Sequence, residues 1–314
     1  MGPFIVKRLV SALPVLFLVS FAAFSLLWLV PGDAAVVMLG PDVDPATVVA
    51  LRRDLGLDRS LLAQYGTWLG RTLSGDFGKS LRDNRPISAA VGDRLPATIE
   101  LSLLAMGIAL VLGIPAGIAA AVRRGGWLDL AGSVVSLSGV SMPSFWLAIL
   151  LIILFSVVLG WLPPSGYVPL RESVAMNLQL MIMPAVTLGL WLAAAVMRQT
   201  RSSVLEVLML DYVRTARAKG AHELCVIGRH VLKNALIPVV TTIGLQTGRL
   251  AGGAVITETI FGIPGIGRLA MDSLLARDFP VIQAVVLLMA LAVLTSNLLV
   301  DLAYAYLDPR IRYG

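Results

Sequence analysis

Six long apolar runs, separated by charged segments, constrain this chain more than any other feature of its sequence. Each run is near or above the roughly 20 residues that an α-helix needs to cross a bilayer. Hydrophobic residues make up 57% of the chain and charged residues 14%, whereas soluble domains carry about 25% charged residues. The sequence therefore predicts an all-α membrane protein with six transmembrane helices. The predicted spans are residues 9–30, 97–122, 130–159, 178–197, 235–257 and 281–303.

The first of these runs follows Lys7 and Arg8, so it could also be a secretory signal cleaved near Ala34 and Ala35. The apolar part of a signal peptide is about 7–15 residues long. Residues 9–30 form a longer run, and we therefore interpret it as a retained first transmembrane helix.

Basic residues predict which side of the membrane each connection occupies, because short loops rich in Lys and Arg remain cytoplasmic. Lys7 and Arg8 precede the first span, Arg123 and Arg124 follow the second, and seven basic residues lie within residues 198–233. Six crossings also put both ends of the chain on one side. The sequence therefore predicts a multi-pass protein with both termini in the cytoplasm.

Residues 31–96 form a long connection that this topology places outside the cytoplasm. Its eight basic residues do not contradict that side, because loops beyond about 60 residues translocate largely regardless of charge, and eight Asp residues balance them. An amphipathic stretch over residues 51–73 predicts short helices that cover the outer face. The chain thus divides into the first helix (1–30), an extracytoplasmic loop (31–96) and a five-helix core (97–314).

Motifs for nucleotide, metal and nucleic-acid binding find little support in the sequence. Gly78-Lys79-Ser80 is similar to the end of a P-loop, but that motif needs a glycine where this chain has Leu73. His222 and His230 lack companion ligands at zinc spacing, and Cys225 is a single cysteine. The net charge of +6 follows from topology, because no basic stripe is interleaved with stacking aromatics. We expect no catalytic residues, no metal, no cofactor bound by this chain and no nucleic-acid partner.

Residues 198–234 form an unusually long connection between the fourth and fifth spans, and long structured loops are usually functional. A helical pattern over residues 211–219 is stopped by Gly220, and a second helix is predicted to begin near His222 and to lead through His230 toward the membrane. A helix, a glycine turn and a second helix would make a compact protrusion. The alternative is a solvated basic loop near anionic lipid, worth about 1 kcal/mol per Lys or Arg.

Residues 211–220 read Asp-Tyr-Val-Arg-Thr-Ala-Arg-Ala-Lys-Gly, and a His-x-x-x-Asn-Ala-x-x-Pro element follows at His230, Asn234, Ala235 and Pro238. With these two motifs the connection resembles the EAA loop of ABC-importer permeases, in the form found in the dipeptide, oligopeptide and nickel permease family.

The resemblance extends over essentially the whole chain. Where the wider ABC-importer pattern has Glu-Ala-Ala before the glycine, this chain has Arg214-Thr215-Ala216, a change that the peptide-type subfamily shares. The other segments similar to family motifs are residues 30–33 (Val-Pro-Gly-Asp), 55–58, 75–78, 95–101, 258–267 and 307–314.

The resemblance implies a type I ABC-importer permease fold, with a long extracytoplasmic loop after the first helix and a cytoplasmic coupling loop at residues 198–234. It implies a bacterial inner-membrane protein with four kinds of partner: the lipid bilayer, a homologous second permease subunit, two ATPase subunits that bind ATP and Mg, and an extracytoplasmic substrate-binding protein. The implied substrates are di- or oligopeptides, with nickel chelates, glutathione and opines as alternatives. The residues expected to couple to the ATPase are Arg214, Thr215, Ala216, Arg217, Lys219, Gly220, Ala221, His222, His230, Asn234 and Pro238.

Small residues and a proline mark two candidate parts of the solute path. Gly244, Gly248 and Gly252 recur every four residues, which fits close helix packing and a pore-lining face equally well. Ser141 and Pro143 lie where the third span is predicted to kink, and such breaks often line pathways.

Arg249 lies inside the apolar fifth span, where a lipid-facing charge costs at least about 2.5–3.5 kcal/mol. It is therefore expected to face a partner or an aqueous cavity, with Gln246 on a shared polar strip. Glu258 and Asp272 are rival partners for its charge. The path or gating candidates are Gln246, Gly248, Arg249, Gly252, Glu258, Ser141 and Pro143.

Two other functions compete with an importer permease. An ion-coupled secondary transporter would carry an intramembrane relay of Asp, Glu or His, but only Glu100 and Asp301 approach the spans. A membrane scaffold or receptor subunit would use the basic connection merely as a docking site. The sequence favours a permease without energy-converting chemistry of its own.

Overall fold

A computed structural model of the chain describes residues 2–29, 36, 43–54 and 60–307. Four of its helices are long and apolar enough to cross a membrane, and the number rises to six if each of two bent helix pairs is one span. The predicted all-α membrane fold is confirmed. The helices are α1 (Gly2–Leu29), α2 (Pro45–Asp54), α3 (Leu61–Leu73), α4 (Ile87–Val122), α5 (Trp127–Ser141), α6 (Ser144–Leu151), α7 (Val174–Leu208), α8 (Asp211–Ala218), α9 (Glu223–Cys225), α10 (Leu232–Phe261), α11 (Ile266–Leu275) and α12 (Phe279–Leu307), with π-helical segments π1 (Ile152–Val158) and π2 (Val226–Val231).

The long helices extend past the apolar runs that predicted them. The second span was expected from residue 97, but α4 begins at Ile87, ten residues earlier. The added turns are amphipathic: Ile87 is fully buried in an apolar cluster with Ile266, Val281 and Val285, while Asp93 is exposed. Hydropathy marks only the lipid-crossing part of such a helix, which explains the difference in its start.

The chain forms two compact units. The N-terminal unit contains Ile5–Thr98 and Pro264–Ala292, and the central unit contains Met1–Phe4, Ile99–Ile263 and Val293–Gly314. The predicted short helices in residues 51–73 are confirmed by α2 and α3, which lie in the N-terminal unit; residues 55–59 between them lie outside the described residues.

The segment with P-loop resemblance has a structural role in the N-terminal unit. Ser80 Oγ donates a hydrogen bond of 2.6 Å to the buried carboxylate of Asp278, and the backbone N–H of Gly78 donates to Asp76. Lys79 pairs with Pro86 in an isolated antiparallel bridge. The segment therefore tightens the turn before α4 and fastens it to the turn before α12.

Close helix contacts at glycine characterise the central unit. A Cβ atom at Gly117 of α4 would lie 2.7 Å from the carbonyl oxygen of Met197 in α7. A Cβ atom at Gly189 of α7 would in turn lie 2.9 Å from the carbonyl oxygen of Ala105 in α4. The two backbones approach closely because these positions lack side chains.

The third span is broken, as predicted. Helix α5 ends at Ser141, Met142 and Pro143 are extended, and α6 begins at Ser144. Proline cannot donate the backbone hydrogen bond that would continue α5.

An ion pair joins the start of α5 to α7. Arg201 donates to both carboxylate oxygens of the buried Asp129, at 2.5 and 3.0 Å. The backbone N–H of Gly125 donates to the same carboxylate at 3.0 Å. Three charge-assisted or backbone donors thus satisfy one buried carboxylate and offset the cost of its burial.

Candidate functional site

The connection between α7 and α10 folds into a short helical hairpin, here called the α8–π2 hairpin (residues 211–231). Helix α8 ends at Ala218, and Gly220 adopts a φ of 79°, a left-handed conformation that L side chains rarely adopt. His222 then caps the next helix, with its Nδ1 atom accepting from the backbone N–H of Leu224 at 3.4 Å. The predicted helix, glycine turn and second helix are confirmed, and α9, π2 and α10 follow one another without interruption.

A buried aliphatic cluster fixes the hairpin to the rest of the central unit. Val213 of α8 and Val226 and Val231 of π2 are fully buried. They pack with Val204 and Val207 at the end of α7, with Ala121 of α4 and Ala235 of α10 completing the cluster. Burial of each Val contributes roughly 1.5–3 kcal/mol. The hairpin is therefore a packed element rather than a solvated loop.

Two polar ties add to this packing. Tyr212 Oη donates to the carbonyl oxygen of His230 at 3.1 Å and accepts from Asn234 Nδ2 at 2.8 Å. Across the glycine turn, Arg217 donates to both carboxylate oxygens of Glu223, at 3.1 and 2.6 Å. Together the two ties hold α8 against the second half of the hairpin and the start of α10.

Several hairpin side chains are exposed, and they include both cations and an apolar group. Arg214 and Lys219 are exposed cations, and Leu224 is an apolar side chain that is 75% exposed. Met209, just before the hairpin, is 58% exposed. Of the predicted coupling residues, Arg214, Thr215, Arg217, Lys219, Gly220, His222 and Asn234 are exposed, and Ala216, Ala221, His230 and Pro238 are half-buried.

The fifth-span candidates divide into packing and buried polar positions. A Cβ atom at Gly244 would overlap Val300 of α12, and one at Gly248 would contact Val293 of the same helix. Both glycines therefore serve close packing of α10 against α12. Gln246 is buried, and Glu258 is completely buried.

The remaining predictions for this region concern Arg249, Gly252 and Asp272, the last as a possible partner of Arg249. The surroundings of Arg249 and Gly252 lie outside what the structure describes, so their roles stay predictions. Asp272 lies 3.7 Å from Arg94 and 3.9 Å from Arg268 within the N-terminal unit, and both arginines neutralise its charge.

A cavity of about 370 Å³ lies beside the break in the third span. Met142 lines it together with residues of α4, α5 and α7, whereas Ser141 and Pro143 do not line it and are exposed. Its lining is mostly apolar, with Ser136 and Ser138 as the polar members. The break thus shapes a cavity, but the predicted path residues are not its wall.

Sequence reasoning missed a half-buried polar pair that joins α4 to the segment before α7 in the central unit. Tyr167, between π1 and α7, donates to Glu100 Oε2 of α4 at 2.9 Å. Its burial, together with this hydrogen bond, raises the pKa of the Tyr167 phenol to about 12. The neighbouring Val168 carbonyl accepts from Asn177 Nδ2 of α7 at 2.8 Å.

The same segment also contacts α10, because the backbone N–H of Gly166 donates to the carbonyl oxygen of Phe261 at 2.8 Å. One buried oxygen each of Glu100, Asn177 and Thr257 has no hydrogen-bond partner among the described residues. In sequence, Glu100 was noticeable as a carboxylate near a span end and as a member of the family-like segment 95–101. Its partner is 67 residues away, so no local pattern could identify the pair.

No group of three or more His, Cys, Asp or Glu side chains that could hold a metal occurs within the part of the chain that the structure describes.

Comparison with known proteins identifies the family. Residues 113–313 match the model of the binding-protein-dependent transport system inner membrane component, and residues 1–102 match that of its N-terminal region. The chain belongs to this family of ABC-importer permeases. The family assignment confirms the resemblance on which the coupling loop was predicted.

Full-length relatives of this permease have related names. The dipeptide transport system permease protein of Alkalihalophilus pseudofirmus is 42% identical over 327 residues, covering 98% of each chain. The glutathione transport system permease protein of Escherichia coli K12 is 43% identical over 310 residues, covering 99% of each. A Brucella abortus protein named provisionally as a peptide transport system permease is 44% identical over 313 residues, covering 100% of each.

Solved structures confirm the fold of the permease. A chain of the MetNI methionine ABC transporter in an inward-facing conformation superposes with a TM-score of 0.59 at 17% identity. The match covers 70% of this chain and 96% of that one. At this identity, the similarity concerns the fold alone.

Proposed function

We propose that this permease carries short peptides across the bacterial inner membrane and that ATP hydrolysed by separate subunits drives the transport. Similarity over the full length to permeases named for peptide and dipeptide transport, at 42–44% identity, carries the proposal. The substrate would be delivered by an extracytoplasmic binding protein. A homologous second permease subunit would complete the path.

The α8–π2 hairpin is the proposed contact with the ATPase. A ligand or partner shifts a two-state equilibrium only through contacts that differ between the states. A rigid element transmits such contacts, and Val213, Val226 and Val231 make this hairpin rigid. Its exposed basic and apolar side chains would enter a groove of the ATPase subunit. ATP and Mg would bind to that subunit, and this chain would bind no cofactor.

The proposed topology has both termini and the α8–π2 hairpin in the cytoplasm. The basic residues around the hairpin support that side. Residues 31–96 would then face the extracytoplasmic side, where the binding protein delivers its substrate.

Cys225 provides a direct test of sidedness and docking. It is the single cysteine of the chain and it is exposed on the hairpin. A membrane-impermeant maleimide should label it in inside-out vesicles and leave it unlabelled in right-side-out vesicles. Purified ATPase subunits should protect it. Labelling from the outside, or labelling unaffected by the ATPase, would contradict the proposed topology or contact.

Peptide uptake tests the transport proposal. Proteoliposomes with the permease pair, the ATPase subunits and the binding protein should accumulate a radiolabelled dipeptide only with ATP on the side of the ATPase subunits. Uptake that persists without ATP and follows an ion gradient would overturn the proposal.

Glutathione is the second candidate substrate, because one relative at 43% identity is named for it. The same proteoliposomes, supplied with labelled glutathione, separate the two substrates. Uptake of glutathione without uptake of the dipeptide would replace the peptide proposal.

A further inference from the structure

A large cavity in the N-terminal unit has no part in the proposed transport function. Its volume is about 550 Å³. Helices α1, α3, α4 and α12 all contribute to its wall. The lining includes Leu16, Phe17, Leu69, Val91, Leu287 and Leu288.

Three of the four polar side chains in this wall are bonded to protein groups. Ser20 and Tyr65 share a hydrogen bond of 2.7 Å between their hydroxyls, and Thr72 donates to the carbonyl oxygen of Trp68 at 2.9 Å. Ser88 is exposed. A buried water needs about two to four polar partners, and this wall offers few. The occupant that fits the cavity is therefore apolar.

The surroundings of the cavity supply an apolar occupant. Residues 87–122 and 279–302, which contribute α4 and α12 to its wall, are long and apolar enough to cross a membrane. Its α1 wall belongs to the apolar stretch Val10–Leu26. The medium around such helices is lipid hydrocarbon. Leu13 and Leu291, which line the cavity, are exposed, so the cavity opens toward that medium.

Helix α3 closes one side of the cavity. It is amphipathic, and its Tyr65 ring contacts Phe17, Phe21 and Phe24 of α1 with ring centroids 5.8, 5.3 and 5.6 Å apart. Trp68 extends the same group. Phe17 and Phe21 lie near the middle of the predicted first span, residues 9–30. The cavity is therefore at the depth of the lipid hydrocarbon, which an acyl chain can enter directly.

We propose that this cavity binds an acyl chain of a membrane phospholipid. The acyl chain would restore dispersion contacts that the residues of an empty cavity wall lack. It also fastens α1 and α3 to α4 and α12, because it touches all four. The inference does not depend on the identity of the transported solute.

Photolabelling tests the proposal on the full-length chain. The protein is placed in nanodiscs that contain phosphatidylethanolamine with a diazirine on its acyl chain, and labelled residues are mapped by mass spectrometry. Label is expected at Leu69, Leu287 and Leu288. Its absence from all three would overturn the proposal.

Gly92 and Gly107 provide a matched pair of variants on α4. A Cβ atom at either glycine would meet no atom within 4 Å, but Gly92 lines the cavity and Gly107 does not. Gly92→Leu should fill the cavity and lose the label, whereas Gly107→Leu should retain it. Equal labelling of both variants would refute the proposal. Ser88→Leu, also in the wall, replaces Gly92→Leu if that variant is not recovered in the membrane.

A second membrane subunit is the rival occupant. Photoreactive p-benzoylphenylalanine in place of Leu291 should form lipid adducts in cell membranes that contain the whole transporter. Cross-linking of this position to another protein subunit would show that protein fills the cavity and would overturn the lipid assignment.

Discussion

The Arg217–Glu223 pair allows the sharpest test of how the α8–π2 hairpin keeps its shape. Arg217 donates twice to Glu223 across the Gly220 turn. The two side chains remain 41% and 47% exposed, so water screens them, and such a pair contributes about 0.2–1 kcal/mol. Reversing one charge removes that gain and adds repulsion of similar size. The closed form of the hairpin should therefore lose roughly 0.5–2 kcal/mol of stability. This shifts the equilibrium between its closed and open forms about twofold to thirtyfold.

The assay compares Arg217→Glu, Glu223→Arg and the double swap. Each single reversal should raise the rate at which maleimide labels Cys225, because π2 begins directly after that residue and a loosened hairpin exposes it further. ATP-dependent uptake should fall in parallel. The double swap should restore both values, because the ion pair re-forms with opposite polarity. Higher ionic strength should shrink the penalty of each single reversal.

Arg214→Glu is the control for charge on the same helix. Arg214 lies 3.5 Å from Asp211, and the two side chains are 67% and 95% exposed, so its reversal should leave labelling of Cys225 unchanged. If the double swap labels as fast and transports as poorly as the single reversals, a partner recognises the individual charges. The structural account of the pair would then be refuted.

Three further outcomes are expected from single contacts. Gly220→Val should lower the free energy of unfolding by about 1–2 kcal/mol, because a residue with a Cβ is strained at a φ of 79°. Uptake should collapse in this variant. Gly228→Ala, whose added Cβ would meet no atom within 4 Å, should retain uptake. Ser80→Ala should lower the thermal unfolding temperature, because loss of the 2.6 Å bond to Asp278 costs about 1.5–3 kcal/mol; an unchanged temperature would contradict the fastening role. Tyr167 should stabilise the fold fully below pH 10 and lose that contribution as pH rises toward 12, because its folded pKa is raised from 10.0 to about 12. Tyr167→Phe should lack this pH-dependent part of the unfolding curve.

Local chemistry made the hairpin predictable. Gly220 is a helix-ending residue at a position that requires positive φ, and His222 caps α9. Pro143 likewise determines where α5 ends, since the ring removes a backbone donor. Each of these features depends on a residue and its immediate neighbours, and the sequence displays both.

Contacts between distant positions were not predictable in the same way. The Tyr212–Asn234 bond joins residues 22 apart, and Tyr167 and Glu100 are 67 apart. The partners lie in different elements with other elements between them, so no local periodicity selects one partner over another. The early start of α4 was missed for the same reason, because Ile87 is buried by helices that come nearly two hundred residues later in the chain.

The unbroken run of helix from Glu223 to Phe261 restricts how the length of this chain can vary in evolution. One inserted residue between residues 236 and 250 would turn everything beyond it by about 100°. Either Val231 and Ala235 would keep their cluster, or Glu258 would keep its buried position, but not both. A π-helical turn accommodates one extra residue within a helix, and π2 is such a turn at the junction of the hairpin and α10. Length changes should therefore be tolerated at π2 and in the connections, and be excluded from the body of α10.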